Sequence, residues 1–472
     1  MNPNIFRQYD IRGVADRDLT DETIDSIGRA FATYLMRHPH LTPPPPKGRK
    51  GEAVQPTLVL GRDIRPSSNR IYKSLAKALL ASGVSVTDVG IVTTPVCYFS
   101  IGHFKKAGGI MITGSHNPPE YNGLKLVVGK NSVFGDEIQN IKTIAQKKDF
   151  LSGRGEEVRA EVIPAYQNYL KQAFRFKRKL KVVVDSGNGT AGLVAPKVIR
   201  DFGHEVVELF SEPDSSFPNH HPDPTVPENL EDAIRKVRET KANVGLAFDG
   251  DADRIGVVDD QGTIVWGDKL LILFARSILK ENPGAKFVAD VKCSNLFFQD
   301  VEKRGGKAIM WKTGHSLIKQ KLREENAALA GEMSGHMFFA DRYFGFDDGL
   351  YAGIRVLEIL DQTGKTLSEL LADVPKTYAT PEIRVECSDE AKFKIVRHVA
   401  QFFKSHYPTI DIDGVRIDFG DGWGLVRASN TQPVLVTRFE AASEKRLAEI
   451  RKLVEEKISG TVPGREESCS GL

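Results

Sequence analysis

The hydrophobic and polar positions of this chain spell one unit three times. The first copy runs from "TLVLGRD" at Thr57 through a helical stretch ending near Leu80. Gly83 and the apolar run "VSVTDVG" close it. The second is "KVVVDSG", a helix through "APKVIRDF", then Gly203 and "HEVVELF". The third is "KFVADVK", a helix through "FFQDVEKR", then Gly305 and "KAIMWKT". Each copy reads as an apolar strand, a polar turn, an amphipathic helix, a glycine stop and a second strand. That order is a βαβ unit, which implies parallel sheets with right-handed crossovers. Three α/β domains in series are the simplest account.

The last hundred residues follow another pattern. "GVRIDFGDGWGLVRASNTQPVLVTRFEA" is strand-like on both sides of a polar loop, and "SEKRLAEIRKLVEEKI" places Leu447, Ile450, Val454 and Ile458 on one helical face. This predicts a smaller C-terminal α+β domain, with a hinge near Pro375. The stretch "HPHLTPPPPKGRKGEAVQP", residues 38–56, interrupts the first domain. Its prolines favour polyproline II and its lysines keep it solvated, so it reads as a surface insertion. The tail "GREESCSGL" carries no readable pattern and is expected to be disordered.

Length agrees with several domains, since 472 residues exceed what one hydrophobic core holds. Apolar content of 40% and charged content of 27% are ordinary for a soluble globular chain. A net charge of +3 gives no reason to expect a nucleic acid or a membrane as partner. The four cysteines, Cys97, Cys293, Cys387 and Cys469, show no C-x-x-C spacing, so they read as free thiols in a reducing compartment. The N-terminus "MNPNIFRQYDIRG" has no charged leader with an apolar core, and no run is long enough to span a membrane. A cytoplasmic location is expected.

Candidate chemistry begins with "AFDGDADRIGVVDDQG". Asp249, Asp251 and Asp253 lie at i, i+2 and i+4 between two apolar strands. Three carboxylates that close repel one another unless a cation sits among them, and hard oxygen ligands suit Mg²⁺. An EF-hand needs glycine at loop position six and glutamate at twelve, where this chain has Arg254 and Asp260. "RASNTQP", residues 427–433, offers Arg427 for a two-pronged grip on phosphate, with Ser429, Asn430 and Thr431 as further donors. Alone it reads equally as a polar hairpin. In "GEMSGH", Glu332, Ser334 and His336 alternate and share one face if the segment is extended, a row suited to sugar hydroxyls or simply to solvent. "KTGHS" adds His315 at a strand end.

"TGSHNPPEYNGLK" follows the apolar run "GGIMI" and sets Ser115 in a loop at a strand end. It is neither the G-x-S-x-G elbow of a hydrolase nor a phosphate-binding P-loop. A turn-capping serine and a phosphoryl acceptor remain. The second suits a chain that also carries a metal loop and a phosphate grip, because phosphoryl transfer needs a nucleophile, a cation and anion-stabilising groups together.

Six motifs in order, "FRQYDIRG", "TGSHNPPEYNGLK", "DGDADR", "KTGH", "GEMSGHMFFADRYFGFDDG" and "RASNTQP", give the chain its resemblance to the α-D-phosphohexomutases, most closely the bacterial phosphomannomutase/phosphoglucomutase type. They extend from about Phe6 to about Ile458. The resemblance implies three similar mixed α/β domains in series plus a smaller C-terminal α+β domain around a central active-site cleft. The divisions expected are 1–158, 159–261, 262–374 and 375–472. It implies that Ser115 carries the phosphoryl group and holds one Mg²⁺ with Asp249, Asp251 and Asp253. Glu332 and Ser334 would bind the 3- and 4-hydroxyls of the sugar, and "RASNTQP" the phosphate already on it. Tyr9, Arg12, Lys125, Arg254, His315 and His336 would be further active-site groups.

The activity implied interconverts the 6- and 1-phosphates of glucose and mannose through a phosphoserine enzyme and a hexose 1,6-bisphosphate. Lys125 and His315 are both candidates for the base, and Arg254 for offsetting charge. Hexose phosphates are the expected partners, with a monomer or small homo-oligomer as the assembly. Three alternatives stay open at this point: a phosphoglucosamine mutase of the same family, a sugar-phosphate-binding protein without turnover, and a metal-dependent phosphatase.

Overall fold

The computed structural model describes residues 1–38, 55–429 and 434–460. Most of the proline-rich insertion, Asn430, Thr431 and the "GREESCSGL" tail lie outside the described residues.

All three repeats fold as βαβ units. Thr57–Arg62 pairs in parallel with Ser85–Ile91 across the helix Ser68–Ala81. Lys181–Asp185 pairs with Glu205–Leu209 across Ala195–Asp201, and Lys286–Asp290 with Lys307–Trp311 across Asn295–Lys303. The glycines that end these helices have φ of 85° at Gly83, 89° at Gly203 and 78° at Gly305. Any other residue would be strained there, so glycine makes a dependable stop.

The sheets are not wholly parallel, which corrects the expectation drawn from the repeats. The first has seven strands, and Tyr121–Val128 runs antiparallel to Gly108–Ile112 within it. In the five-stranded second sheet, Ile255–Val258 is antiparallel to Val244–Phe248. In the four-stranded third, Met337–Phe339 is antiparallel to Leu329–Gly331. Antiparallel neighbours can be joined by a short loop, whereas parallel ones need a long crossover. Each of these three hairpins carries one of the motifs: Ser115 in the first, the aspartates in the second, "GEMSGH" in the third. A fourth hairpin, Gly422–Ala428 against Val434–Ala441, flanks the "RASNTQP" motif in a six-stranded C-terminal sheet. The repeat therefore places its chemistry at one equivalent point per domain, pinned by strands on both sides.

One continuous buried cluster includes Val59 and Met111, Val184 and Leu246, and Leu271 and Phe287, so the first three units share a core. The C-terminal unit has its own, built from Val399, Phe403, Val426, Phe439, Val454 and Ile458 among others. Leu447, expected on the buried face of the last helix, packs there only in part. Cys97, Cys293 and Cys387 are buried free thiols. Among the described residues no helix is long and apolar enough to cross a membrane.

Candidate active site

Ser115 sits just past the end of Gly108–Ile112 with φ of 50°, in the left-handed region that residues with a Cβ rarely occupy. Its loop is clamped to hold that shape. Arg65 is buried, and its guanidinium donates to the carbonyls of Ser115, Asn117, Pro118 and Tyr121. Asp63 accepts from the Gly114 N–H at 3.0 Å and lies 3.3 Å from Arg65 Nε. A Cβ on Gly114 would sit 2.3 Å from Arg65 Nε, so only glycine fits beside the arginine. Backbone strain held in place by surrounding contacts is a mark of functional loops.

The Ser115 hydroxyl donates to Asp249 Oδ2 at 2.8 Å, across the junction of the first two domains. Close approach of the two loops needs Gly250, where a Cβ would lie 2.5 Å from the Ser115 carbonyl oxygen. Asp249, Asp251 and Asp253 are fully buried, and each offers a carboxylate oxygen within 4.8 Å of the others. Asp251 Oδ1 and Asp253 Oδ1 are buried with no hydrogen-bond partner. Acceptors left over in a dry, anionic pocket fit a hard divalent cation. Burial and the neighbouring Asp253 and Asp251 carboxylates push Asp249 well above the usual carboxylate range. Asp251 is held low despite its burial, because Lys125 and the Thr94 hydroxyl both donate to it.

Lys125 bridges the aspartates, 2.7 Å from Asp251 and in contact with Asp253. Their charges outweigh burial and hold the ammonium well above its usual range, so Lys125 stands as a fixed positive charge in this arrangement. His315 is the reverse. Burial and the Lys319 charge keep its imidazole neutral, well below the usual range, and its Nδ1 lies 3.8 Å from Asp347.

Arg254 Nε donates to His336 Nε2 at 2.9 Å. That fixes the tautomer: His336 carries its proton on Nδ1, which faces Asp347 at 3.2 Å and Asp253 at 3.6 Å. His336 stacks on His315 with ring centres 5.7 Å apart, and Tyr9 meets His315 edge-on at 6.2 Å. The Tyr9 hydroxyl donates to the Thr313 carbonyl, the Thr313 N–H donates to Asp413, and Arg427 Nε donates to the same Asp413 oxygen at 3.0 Å. One row of contacts thus runs from Ser115 to Arg427 through all four domains.

"GEMSGH" does not extend as a strand. Residues 332–335 form a turn closed by the Gly335 N–H on the Glu332 carbonyl, with Gly335 at φ of 91°. The alternating face expected for Glu332, Ser334 and His336 is therefore absent. Glu332 is buried and accepts from the Gly314 N–H at 2.6 Å, Ser334 is half-buried, and His336 points towards Arg254. Arg12 pairs with Asp10, with its Nε buried and without a partner. Ser429 is buried, and its carbonyl accepts from Lys392 at 2.7 Å. Asn430 and Thr431 lie outside the described residues.

Sequence reading passed over several groups that build this site. Arg65 and Asp63 belong to "GRDIR", where an arginine just beyond a buried strand was the only signal. Asp347 falls inside the "GEMSGHMFFADRYFGFDDG" motif but was given no role, and Lys319 and Asp413 gave no signal, since each matters through a partner distant in the chain.

Such a cleft, with a buried serine beside three buried aspartates that could hold a metal ion at one end and a paired arginine at the other, fits a phosphoryl-transfer enzyme of the α/β class. Models of the phosphoglucomutase/phosphomannomutase family match most of the length: alpha/beta/alpha domain I over residues 3–152, domain II over 164–262, domain III over 266–378 and the C-terminal domain over 382–457. A phosphomannomutase/phosphoglucomutase of Pseudomonas putida is 46% identical over 451 residues, covering 95% of this chain and 94% of its own. A phosphoglucomutase of Neisseria gonorrhoeae is 43% identical over 453 residues, covering 95% of each. The crystal structure of a phosphoglucomutase/phosphomannomutase family protein from Burkholderia thailandensis superposes with a TM-score of 0.89 at 42% identity, over 98% of this chain and 99% of that one. The chain belongs to the α-D-phosphohexomutase family, phosphomannomutase/phosphoglucomutase type. Its activity is that intramolecular phosphoryl transfer.

Proposed function

We propose that the enzyme interconverts hexose 6-phosphate and hexose 1-phosphate, for both glucose and mannose, with Ser115 as the phosphoryl carrier. The observation that carries this is the strained, clamped Ser115 with its hydroxyl 2.8 Å from Asp249. In the first step the bond from phosphorus to Ser115 Oγ breaks and a bond to the free sugar hydroxyl forms. The hydroxyl proton passes to a base. His315 and Lys125 both remain candidates: the His315 ring is kept neutral by burial, while the Lys125 ammonium is paired with the aspartates that would hold the metal. The resulting hexose 1,6-bisphosphate then returns its other phosphoryl group to Ser115. Asp249, Asp251, Asp253 and Ser115 would hold one Mg²⁺, which supplies positive charge against the phosphoryl oxygens when bound. Arg254 and Arg12 add fixed charge. Glu332 and Ser334 take the sugar hydroxyls, with Tyr9 and His336 beside them. Arg427, with Ser429, Asn430 and Thr431, takes the resident phosphate. Glucose and mannose differ at the 2-hydroxyl, which this set does not grip.

The test is a mutase assay on glucose 1-phosphate and mannose 1-phosphate, with and without added bisphosphate, on wild type and Ser115→Ala. Intact mass should show one phosphate on the peptide that holds Ser115. Turnover near wild type by Ser115→Ala would overturn the role. Turnover of glucosamine phosphate above both hexose phosphates would favour the neighbouring specificity, and release of free phosphate at the mutase rate would favour a phosphatase.

A further inference from the structure

A second cavity, of about 520 Å³, lies where the first three domains meet and away from the Ser115 loop. The helix Thr94–His103 and the Val127–Ser132 turn bound it on one side, and the helix Ile163–Ala173 and the Phe344–Phe346 loop on the other. Its wall is aromatic. Tyr98, Phe99 and Tyr169 line it, and Phe344 leaves 53% of its surface open. An exposed phenylalanine among packed rings offers a flat apolar face for stacking. The polar lining has one sign. Lys105, Lys106 and Lys130 stand around the cavity with no carboxylate among the lining residues and no ion-pair partner among the described residues. Lys319 lines it as a fourth, buried, cation.

We propose that this cavity binds a nucleoside diphosphate. The volume suits a ligand of that size. The aromatic wall takes a planar base, and separate lysines take two linked phosphates as point charges. A hexose phosphate has no flat apolar face and does not match the wall. Occupancy would also be felt at the catalytic cleft, which rests on the function proposed above. Lys319 Nζ lies 3.0 Å from Asp347 Oδ1, and Asp347 Oδ2 faces His336 and His315. A phosphate drawn to Lys319 competes with Asp347 for that ammonium and so loosens the pair that sets both rings.

Calorimetric titration of ADP and of UDP into the full chain, saturated with glucose 1-phosphate so that the cleft is filled, tests the binding. One site per chain is expected. Adenosine, uridine and pyrophosphate should each bind at least tenfold more weakly than the diphosphates. The double variant Lys105→Glu, Lys130→Glu should weaken ADP at least tenfold, and Phe344→Ala should do so through lost stacking. Both variants should keep wild-type mutase turnover. No binding with the cleft saturated, binding unchanged in the double variant, or pyrophosphate as tight as ADP would each overturn the site. The coupling is read separately: ADP should change KM for glucose 1-phosphate in wild type and not in the double variant. Binding without that change would remove the coupling and leave the site, and ADP binding by a chain without mutase activity would sink the proposed function alone.

Discussion

Ser115 and Arg427 stand at the two ends of one row of contacts, and the chain fixes them by different means. The Ser115 end is built into the shared core of three domains, with Arg65 holding four carbonyls and the aspartates fully buried. The Arg427 end belongs to a domain with its own core, which meets the rest through one small apolar cluster, Val291 and Met310 against Trp423, Leu425 and Ile412, and through polar links. Arg416 donates to the Val291 and Cys293 carbonyls and stacks on Trp423, Ser294 donates to Glu440, and Lys292 pairs with Glu382 at 3.1 Å. Apolar cores are dense and tolerate little displacement, while polar links can be exchanged for water at small net cost. The nucleophile thus shares the large core, whereas the phosphate grip is joined to it by a smaller set of contacts. A hinge near Pro375 fits that division.

Breaking the rigid end should have the largest effects. Exhaustive chelation should cut turnover at least a hundredfold, with recovery on adding Mg²⁺, because the three aspartates lose their cation while the fold persists on Lys125. Full activity after chelation would remove the metal from the site. Arg65→Met should come next. It strips donors from four buried carbonyls and leaves Asp63 buried without its guanidinium, a loss of about 3–5 kcal/mol by denaturant unfolding. A variant as stable as wild type would mean that the loop holds its own shape.

At the Arg427 end the effects should be smaller and should fall on binding. Arg427→Ala removes a charge-assisted grip, worth about 1.5–3 kcal/mol. KM for both hexose phosphates should rise about tenfold or more, with a loss of stability smaller than that of Arg65→Met, since one partner, Asp413, is left without its guanidinium. A loss of stability to match Arg65→Met would show that the two ends are equally structural. The finest test is pH. The Lys292 charge, acting against burial, holds Glu382 down to about 2 from an ordinary 4.5. A depressed carboxylate contributes stability that is complete above its unfolded value and is lost as pH falls towards the folded one. Docking of the last domain should therefore weaken as pH drops below 4.5. Thermal unfolding of wild type should lose more between pH 5 and 3.5 than that of Glu382→Gln, and equal losses would remove this pair from the interface.

The sequence disclosed what is local. Gly83, Gly203 and Gly305 end helices through a backbone need that shows in one residue, and the spacing of Asp249, Asp251 and Asp253 shows in five. "GEMSGH" misled because alternation assumes extended backbone, and Gly335 turns it instead. The antiparallel hairpins were hidden behind the βαβ pattern, which fixes a crossover but not the direction of the strand that follows it. The roles of Arg65, Asp347 and Asp413 were hidden for a plainer reason: each acts on a partner that the fold, not the chain order, brings near.

The hydrogen bond from Ser115 to Asp249 joins residues 134 positions apart. Arg65 in turn reaches 50 positions to the Ser115 carbonyl. During synthesis these contacts become available in a fixed order, the clamp first and the acceptor long after. A nascent chain that stops short of Asp249 has the serine beside His116, 3.0 Å away, but without the carboxylates of the second domain. Serine and aspartates can meet only after the second domain has emerged, so the order of synthesis sets the order in which the site is assembled.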